Sequence, residues 1–252
     1  RRLKEDVLKE LPDRIETVHY SEMNQAQKKL YLAYLNKIQS EAAESLATEG
    51  LNKGRLKILA GLTRLRQLCC HPSLFIDDYA GESGKLEALF EIIENARENG
   101  QRMLIFSQFP SMLRIIREKL EASGRSSYYL DGQTPGAERV RLVEAFNSGA
   151  EDIFLISLKA GGTGLNLTGA DTVVLYDLWW NPAIEEQAIG RAHRMGQKNV
   201  VQVIRMIAQG TIEEKINEMQ KQKKEMIDSI IQPGEAKLSS MSEEDIREIL
   251  SI

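Results

Sequence analysis

The fold is decided by a short apolar run that leads directly into a glycine-rich loop, Ile153-Phe-Leu-Ile-Ser-Leu-Lys-Ala-Gly-Gly-Thr-Gly-Leu-Asn166. An apolar run of this length, with glycines close behind it, is typical of a strand buried on both faces. Comparable runs occur before and after it and alternate with amphipathic stretches. This alternation predicts an α/β fold, a parallel sheet covered by helices on both faces, in which ligands collect at the carboxyl ends of the strands.

The predicted elements of this sheet occupy the chain from about Gly84 onward. Strands are predicted at residues 103–107, 128–131, 153–157, 172–177 and 200–205. Helices are predicted at residues 111–121, 135–147, 182–195 and 212–227. In the third of these helices Pro182 fits the first position, Asn181 fits the cap before it, and Gly196 marks the end.

The first third of the chain has a helical pattern instead. Two segments each carry one apolar stripe at helical spacing, namely Leu30, Tyr34 and Ile38 in the first and Ile58, Leu62, Leu65 and Cys69 in the second. We expect two antiparallel helices that bury these stripes, with a turn over Gly50, Asn52 and Gly54 between them. The second helix should end at His71-Pro72, because the residue before proline is disfavoured in a helix.

Two serines are predicted to cap helices. Ser83 precedes the helical pattern that follows Gly84, and Ser242 has Asp245 three residues further on, the spacing of a capping box. The second of these predicts a short last helix whose apolar residues are Ile246, Ile249 and Leu250.

Composition excludes several classes of protein. Apolar residues make up 42% and charged residues 28% of the chain, as in an ordinary globular protein. No apolar run approaches the roughly 20 residues of a membrane-spanning helix, so we expect a soluble protein. The net charge of −4 argues against bulk electrostatic binding of nucleic acid, so any DNA contact must be local. The adjacent Cys69 and Cys70 lack the spacing of a zinc site, and we expect no metal site.

The segment with the most chemical information is Gln187-Ala-Ile-Gly-Arg-Ala-His-Arg-Met-Gly-Gln197. We expect residues 187–194 to lie on one helix, where Gln187, Arg191 and Arg194 share a face. Arginine keeps its charge and binds phosphate oxygens with two parallel hydrogen bonds. Two arginines in a row therefore suit a multiply charged anion.

Ordinary surface ion pairs are the alternative explanation for these arginines. No Asp or Glu occurs in residues 187–212, which leaves four cations without an acidic neighbour in sequence: Arg191, Arg194, Lys198 and Arg205. This absence favours an external anion. His193 points away from the arginine face and is interpreted as structural.

The glycine-rich loop offers backbone amides to a phosphate or a ribose, since Gly161, Gly162 and Gly164 allow close approach and positive φ. A tight turn is the simpler interpretation, because the loop matches neither the P-loop nor the dinucleotide pattern. The sequence Gly81-Glu-Ser-Gly-Lys85 resembles a P-loop but has Tyr79 and Leu86 where that motif needs glycine and a hydroxyl. No Asp-Glu motif for magnesium follows any predicted strand.

Five segments, in this order, resemble the motifs of the C-terminal lobe of Swi/Snf-type superfamily-two helicases. They are Leu104-Ile-Phe-Ser-Gln-Phe109, Leu130-Asp-Gly-Gln-Thr134, Lys159-Ala-Gly-Gly-Thr-Gly-Leu-Asn166, Trp180-Asn-Pro182 and residues 187–197. Leu65-Arg-Gln-Leu-Cys-Cys-His-Pro72 and the opening residues 1–12 are also similar to that family. The resemblance covers nearly the whole chain.

The resemblance implies a RecA-like lobe preceded by a helical protrusion. The implied domains are an inter-lobe connector at 1–20, the protrusion at 21–80, the RecA-like lobe at 81–230, and a linker with a C-terminal helix at 231–252. Because the chain begins at Arg1 rather than Met, we expect it to be part of a longer polypeptide. ATP with magnesium would then be bound mainly by an N-terminal ATPase lobe of the same polypeptide.

Site residues follow from the same resemblance. Arg191 and Arg194 resemble arginine fingers that reach the γ-phosphate, with Gln187 as a neighbouring polar contact. Gly164 and Asn166 match positions near the ribose and the lobe interface. The positions that match contacts to the backbone of double-stranded DNA are Gln133, Thr134, Lys159, Gly162, Thr163 and Trp180. For Trp179 we expect packing in the core.

The implied function is the second lobe of an ATP-dependent double-stranded DNA translocase, inactive without its first lobe. Two other functions remain open from the residues alone. One is a helicase-like module that binds nucleic acid or a partner without ATP, and the other is the lobe of an RNA helicase. The compact protrusion favours a prokaryotic cytoplasm over a nucleus.

Overall fold

The computed structural model describes residues 11–48, 50–160, 164–229 and 242–252, without the side chains of residues 50–53 and 223–229. The described chain forms two compact units. The first takes the chain up to His19 together with Leu89–Asp177 and Ala183–Met206, and the second takes Tyr20–Ala88, Leu178–Pro182 and Ile207–Ile252. Within the described ranges, no helix combines the length and the apolar character needed to cross a membrane.

The strands are β1 (Arg14–Ser21), β2 (Met103–Ser107), β3 (Tyr128–Leu130), β4 (Ile153–Ser157), β5 (Thr172–Leu175) and β6 (Val201–Ala208). The helices are α1 (Gln25–Thr48), α2 (Gly50–Cys70), α3 (Gly84–Glu98), α4 (Pro110–Ala122), α5 (Gly136–Asn147), α6 (Pro182–Ile189), α7 (Ile212–Ser229) and α8 (Glu243–Leu250). A short 3₁₀-helix, Pro72–Leu74, follows α2.

The six strands form one sheet in the order β1-β6-β5-β2-β4-β3. The pairs β2 with β4, β2 with β5, β3 with β4, and β5 with β6 are all parallel. Backbone bonds from Val201 to Asp13 and from Gln209 to Ser21 advance in the same direction along both chains, so β1 is parallel to β6 as well. The predicted parallel α/β sheet is confirmed.

The core of the first unit covers both faces of the central strands. On one face, alternate residues of the strands, including Phe106, Phe154 and Val173, form a cluster with Phe146 of α5 and Ile189 of α6. The intervening residues of the strands, which point to the other face, are equally buried, as in Met103, Ile105, Leu155 and Val174. The helix α4 contacts β2 and β4, the strands that carry the first three of these residues. Burial on both faces explains why these strands are continuous apolar runs.

The strand β1 was absent from the predicted strands. It lies at the edge of the sheet, and Ile15 is 50% exposed between the charged Arg14 and Glu16. An edge strand needs only one hydrogen-bonded neighbour and can carry charged side chains, here Arg14 and Glu16 on one face. It therefore lacks the apolar run by which the other strands were predicted.

In the second unit, α1 and α2 pair as predicted. The Gln27 side chain of α1 donates to the Leu68 carbonyl of α2 at 2.8 Å, and the predicted stripe of α2, from Ile58 to Cys69, is buried. The prediction of a turn through Gly54 is wrong, because α2 already begins at Gly50. A Cβ atom at Gly54 would lie 2.0 Å from Ser45 Oγ of α1, so this glycine allows the helices to approach closely.

The two predicted serine caps behave differently. Ser242 accepts a hydrogen bond from Asp245 N while the Asp245 side chain accepts one from Ser242 N, so the capping box at the start of α8 is confirmed. Ser83 holds the position before α3, and its carbonyl accepts the first helical bond from Glu87 N. Its hydroxyl does not cap α3 but donates to the Cys70 carbonyl at 2.7 Å.

A fully buried ion pair joins α3 to α7 inside the second unit. Lys85 and Glu213 are 1% and 0% exposed, and the Lys85 ammonium donates to Glu213 Oε2. Burial acts to lower the pKa of Lys85, but the Glu213 carboxylate outweighs it and the pKa is raised. Glu213 Oε2 also accepts from Ala208 N at 2.8 Å. Lys85, the apparent P-loop lysine, is therefore a structural residue.

Removing one member of this pair should cost far more stability than removing both charges. Lys85→Met leaves a buried carboxylate without its cation and is expected to lower the free energy of unfolding by about 3–5 kcal/mol. Lys85→Met with Glu213→Gln keeps an acceptor for Ala208 N and is expected to recover at least half of that loss, as measured by urea unfolding. A double variant no more stable than Lys85→Met alone would contradict this account.

Candidate functional site

The predicted helix over residues 182–195 is shorter than expected. It begins at Pro182 as predicted, but α6 ends at Ile189, and residues 190–197 form a series of turns that we call the arginine turn. The prediction that Gln187, Arg191 and Arg194 share one helical face is therefore wrong. Gln187 lies exposed on α6, whereas both arginines belong to the arginine turn.

The arginine turn leaves the helical path because its carbonyls bind donors from elsewhere. The Arg191 carbonyl accepts from Leu167 N at 2.9 Å, and the Ala192 carbonyl accepts from Gln197 Nε2 at 3.1 Å. In a continuing helix these carbonyls would accept from residues four further on. Gly190, a weak helix former, lies at the point of departure. Gly196 has φ +97°, so the predicted glycine stop closes the arginine turn.

Gln197 uses its side chain to connect the arginine turn to the segment that contains Ala170. Its side chain is 6% exposed, and its Nε2 also donates to the Ala170 carbonyl at 2.7 Å. Its Oε1 accepts from Lys198 N and Asn199 N, each at 2.9 Å. The side-chain amide group of Gln197 thus makes four hydrogen bonds, two as donor and two as acceptor. The sequence motif included Gln197 but gave no sign of this role.

Arg191 is buried without a counter-charge. It is 8% exposed, and among the described residues no partner accepts a hydrogen bond from its Nε. Burial, and then the neighbouring charge of Arg194, lower the pKa of Arg191. Arg194 is half-buried, and its Nη1 donates to the Leu165 carbonyl at 3.3 Å. Two cations thus lie together, and no carboxylate in the described ranges pairs with either.

The predicted nucleotide residues Gly164 and Asn166 lie beside this pair. Both are exposed, and Gly164 has the positive φ, +50°, that was expected of the loop. Their neighbours Leu165 and Leu167 make the two bonds to the arginine turn given above. The structure therefore brings Gly164 and Asn166 together with Arg191 and Arg194. Gly161 and two predicted DNA residues, Gly162 and Thr163, lie outside the described residues.

The remaining predicted DNA residues of the first unit follow β3 and β4. Gln133 is exposed in the turn after β3, Thr134 is half-buried there, and Lys159 is exposed after β4. Asp131 shapes that turn, since its carboxylate accepts from Gln133 N at 2.8 Å. Burial acts to raise the pKa of Asp131, but hydrogen bonds from Gln133, Tyr129 and Thr134 lower it below its usual value.

A second side chain holds this turn from the following helix. Arg139 of α5 donates from Nε to the Thr134 carbonyl at 2.8 Å and from Nη2 to the Asp131 carbonyl at 3.0 Å. The turn after β3 is thus held by hydrogen bonds to the Asp131 carboxylate and to the Arg139 guanidinium. The Gln133 side chain is exposed on this turn, whose backbone is held by these hydrogen bonds.

Trp180 belongs to the second unit and lies over a buried cation. The Arg66 guanidinium lies 4.9 Å from the centroid of the Trp180 ring and 5.8 Å from that of Trp179. Arg66 is 1% exposed and also donates to the Leu178 carbonyl. Both tryptophans are half-buried. The Trp180 ring therefore contacts Arg66 and is still partly exposed to solvent.

Sequence reasoning missed a buried carboxylate after β5. Asp177 is 0% exposed and accepts hydrogen bonds from Ser107 Oγ and, at 3.2 Å, from Gln108 N. These bonds tie the end of β5 to the turn after β2, inside the motif that begins at Leu104. The available signal was an acidic residue at the end of an apolar strand, where ligand-binding loops begin.

From the sequence, Arg205 was predicted to lack an acidic partner, and this prediction is wrong. It pairs with Glu185 of α6 and with Glu16 of β1, the latter at 3.3 Å. Both carboxylates are distant from Arg205 in sequence, since Glu16 lies on the neighbouring strand β1 and Glu185 lies on α6. Lys198 is exposed.

Comparison with protein families gives two matches. The Helicase conserved C-terminal domain matches residues 84–196, and the SNF2-related domain matches residues 1–74. Among curated proteins, the putative ATP-dependent helicase/translocase YwqA of Bacillus subtilis is 39% identical over 98% of this chain and 27% of its own length. The chain spans about a quarter of the length of the curated relatives it matches.

Two solved structures from Sulfolobus solfataricus are similar over almost the whole chain. The SWI2/SNF2 ATPase C-terminal domain is 31% identical with a TM-score of 0.72, covering 94% of this chain and 98% of that one. The SWI2/SNF2 ATPase core in complex with dsDNA is 30% identical with a TM-score of 0.75, covering 98% of this chain and 52% of that one.

The contacts of Gln197 predict a large effect of its removal. Gln197→Ala leaves the Ala170 and Ala192 carbonyls and two backbone N–H groups without this partner, and we expect a loss of about 2–3 kcal/mol in unfolding free energy. Gln187→Ala, a change of the same side chain at an exposed helical position, should alter stability by less than about 0.5 kcal/mol. Equal urea midpoints for the two variants would show that the four bonds of Gln197 contribute no net stability.

Proposed function

The chain belongs to the SWI2/SNF2 ATPase family, in which it corresponds to the C-terminal domain, and we propose that it is the second motor lobe of an ATP-driven translocase on double-stranded DNA. An N-terminal ATPase lobe of the same polypeptide would hold ATP and magnesium. This chain would supply Arg191 and Arg194 to the triphosphate, with Gln187 beside them, and contacts to the DNA backbone.

One observation carries the proposal, namely the unpaired cations of the arginine turn. Burying a guanidinium without a partner costs free energy, and a second cation beside it adds to that cost. Arg191 has a buried Nε without an acceptor among the described residues, and Arg194 lowers its pKa further. A phosphate group fits this site because it supplies both negative charge and acceptor oxygens in the geometry of a guanidinium fork.

The neighbouring residues support a nucleotide at this place. Gly164 and Asn166 lie exposed on the segment that binds the arginine turn. ATP supplies the γ-phosphoryl group, and positively charged side chains stabilise the charge that develops during its transfer. In the proposal Arg191 and Arg194 perform this role, and Gly164 and Asn166 contact the ribose and the first lobe.

Magnesium and the remaining phosphate contacts are assigned to the first lobe. In the described part of the chain, no group of three or more His, Cys, Asp and Glu side chains is arranged to hold a metal ion. The lysine of the apparent P-loop, Lys85, is engaged by Glu213 in the interior. Catalysis would therefore require the two lobes to close, which couples ATP turnover to a change in their relative position.

DNA would be held by its phosphates. The proposed contacts are exposed or half-buried polar residues that follow strands, namely Gln133, Thr134, Lys159 and Trp180, together with Gly162 and Thr163. Few of them are charged, which agrees with the net charge of −4 and with local rather than bulk attraction. Contacts to phosphate rather than to base edges carry little sequence preference. The related core solved in complex with dsDNA supports duplex DNA as the ligand.

Replacing the buried arginine tests the catalytic part of the proposal. In the full-length protein, Arg191→Ala should lower kcat of the DNA-stimulated ATPase by about 10³-fold, because an arginine finger contributes at least that much. DNA affinity should stay within about twofold. Arg97→Ala removes an exposed arginine from α3 and should leave kcat unchanged. The 252-residue chain alone should hydrolyse no ATP, and Arg191→Ala with wild-type kcat would refute the assignment.

Replacing Lys159 tests the DNA part separately. Lys159→Ala should weaken binding to duplexes of different sequence by the same factor and reduce the slope of log affinity against log salt by about 1. Lys221→Ala, at an exposed lysine of α7, should change neither quantity. Stronger ATPase stimulation by RNA than by duplex DNA, or equal salt slopes for the two lysine variants, would count against a duplex-DNA translocase.

A further inference from the structure

The start of β1 runs directly beside the arginine turn in the first unit. His193, between the two arginines, has its Nε2 2.8 Å from the Pro12 carbonyl oxygen. A carbonyl oxygen can only accept, so Nε2 carries a proton and donates it to this bond. The middle of the arginine turn is therefore attached to the chain as it enters β1.

A second contact attaches the helix that precedes the arginine turn. Arg14 of β1 donates from Nη1 to Glu186 Oε2 at 2.8 Å and from Nη2 to Glu186 Oε1 at 2.7 Å. The two side chains are 19% and 38% exposed. This parallel two-bond geometry fixes orientation as well as distance, unlike a simple contact between two charges.

A third contact attaches the strand that follows the arginine turn. Arg205 of β6 lies between Glu16 of β1 and Glu185 of α6, and it pairs with both. Residues 12–16, which lead into β1 and begin it, are thus bound to residues before, within and after the arginine turn. All three contacts lie within these five residues.

We infer that His193 and Arg14 are positioning residues, which attach the arginine turn and the preceding helix α6 to the chain entering β1 and thereby set where Arg191 lies when the site closes. The inference rests on the proposed function, because it needs Arg191 to act on a triphosphate. Beyond the proposed function, the inference assigns to the start of β1 a part in positioning Arg191 and Arg194.

The expected consequence is a defect in rate rather than in binding. Catalytic groups must be held within about 0.5 Å of their productive position, and a displacement of about 1 Å can cost as much as 10²-fold in rate. Neither His193 nor Arg14 is proposed to touch ATP or DNA. Their loss should therefore lower kcat while KM for ATP and the affinity for DNA stay nearly constant.

The test compares two substitutions of the same histidine in the full-length protein. His193→Ala removes the donor, whereas His193→Gln places an amide N–H close to the position of Nε2. We expect His193→Ala to lower kcat of the DNA-stimulated ATPase by about tenfold, with KM and DNA affinity within about twofold, and His193→Gln to restore kcat to within about threefold of wild type. Arg14→Gln should behave as His193→Ala does.

Two controls separate positioning from general destabilisation. His19→Ala removes a half-buried histidine from the same strand and should leave kcat unchanged. In a protein that already carries Arg191→Ala, His193→Ala should change kcat by less than about twofold, because residues that act through one another are not additive. Thermal unfolding of each variant should show a folded protein at the assay temperature.

The outcomes distinguish the two proposals. If Arg191→Ala lowers kcat and His193→Ala does not, the positioning role is overturned and the proposed function stands. The positioning role is also overturned if His193→Gln is as slow as His193→Ala, or if His193→Ala still lowers kcat tenfold in the Arg191→Ala protein. If Arg191→Ala retains wild-type kcat, the proposed function itself fails.

Discussion

The site depends on two carbonyl groups that leave the helical hydrogen-bond pattern. The carbonyls of Arg191 and Ala192 bind Leu167 N and the Gln197 side chain, and the chain after Ile189 therefore turns instead of continuing α6. The same bonds attach the arginine turn to residues 165–170, which carry the exposed Asn166. These two changes of hydrogen-bond partner thus end α6 and bring residues 164–167 beside the buried Arg191.

Much of the fold could be predicted because its sheet is buried on both faces. The continuous apolar runs of β2, β4 and β5 follow from that burial, and the motifs that accompany them identify the SWI2/SNF2 family correctly. The edge strand β1 escaped prediction since its charged side chains face partners that are remote in sequence. The predicted turn at Gly54 was wrong for a similar reason, because this glycine serves the approach of α1 and not a change of direction.

The candidate site was harder to predict than the fold. Helical periodicity placed Gln187, Arg191 and Arg194 on one face, but periodicity contains no information on Leu167 or Gln197, whose bonds decide the backbone path. Asp177 and Gln197 act through buried hydrogen bonds to backbone groups, and such contacts leave no spacing pattern. The positive charge of the arginines could be read from their residue type, whereas the path of the backbone that carries them depends on these partners.

The arrangement of charges explains how an acidic chain keeps two arginines unpaired. Glu185 and Glu186 precede the arginine turn and would be the nearest anions in sequence, but Arg205 and Arg14 engage them. Those pairs join α6 to the strands β6 and β1, and the second uses both oxygens of Glu186. Because the local carboxylates are already matched, the charge of Arg191 is not neutralised from within the described chain. The unfavourable free energy of that buried charge then favours any closed state that brings an external anion to it.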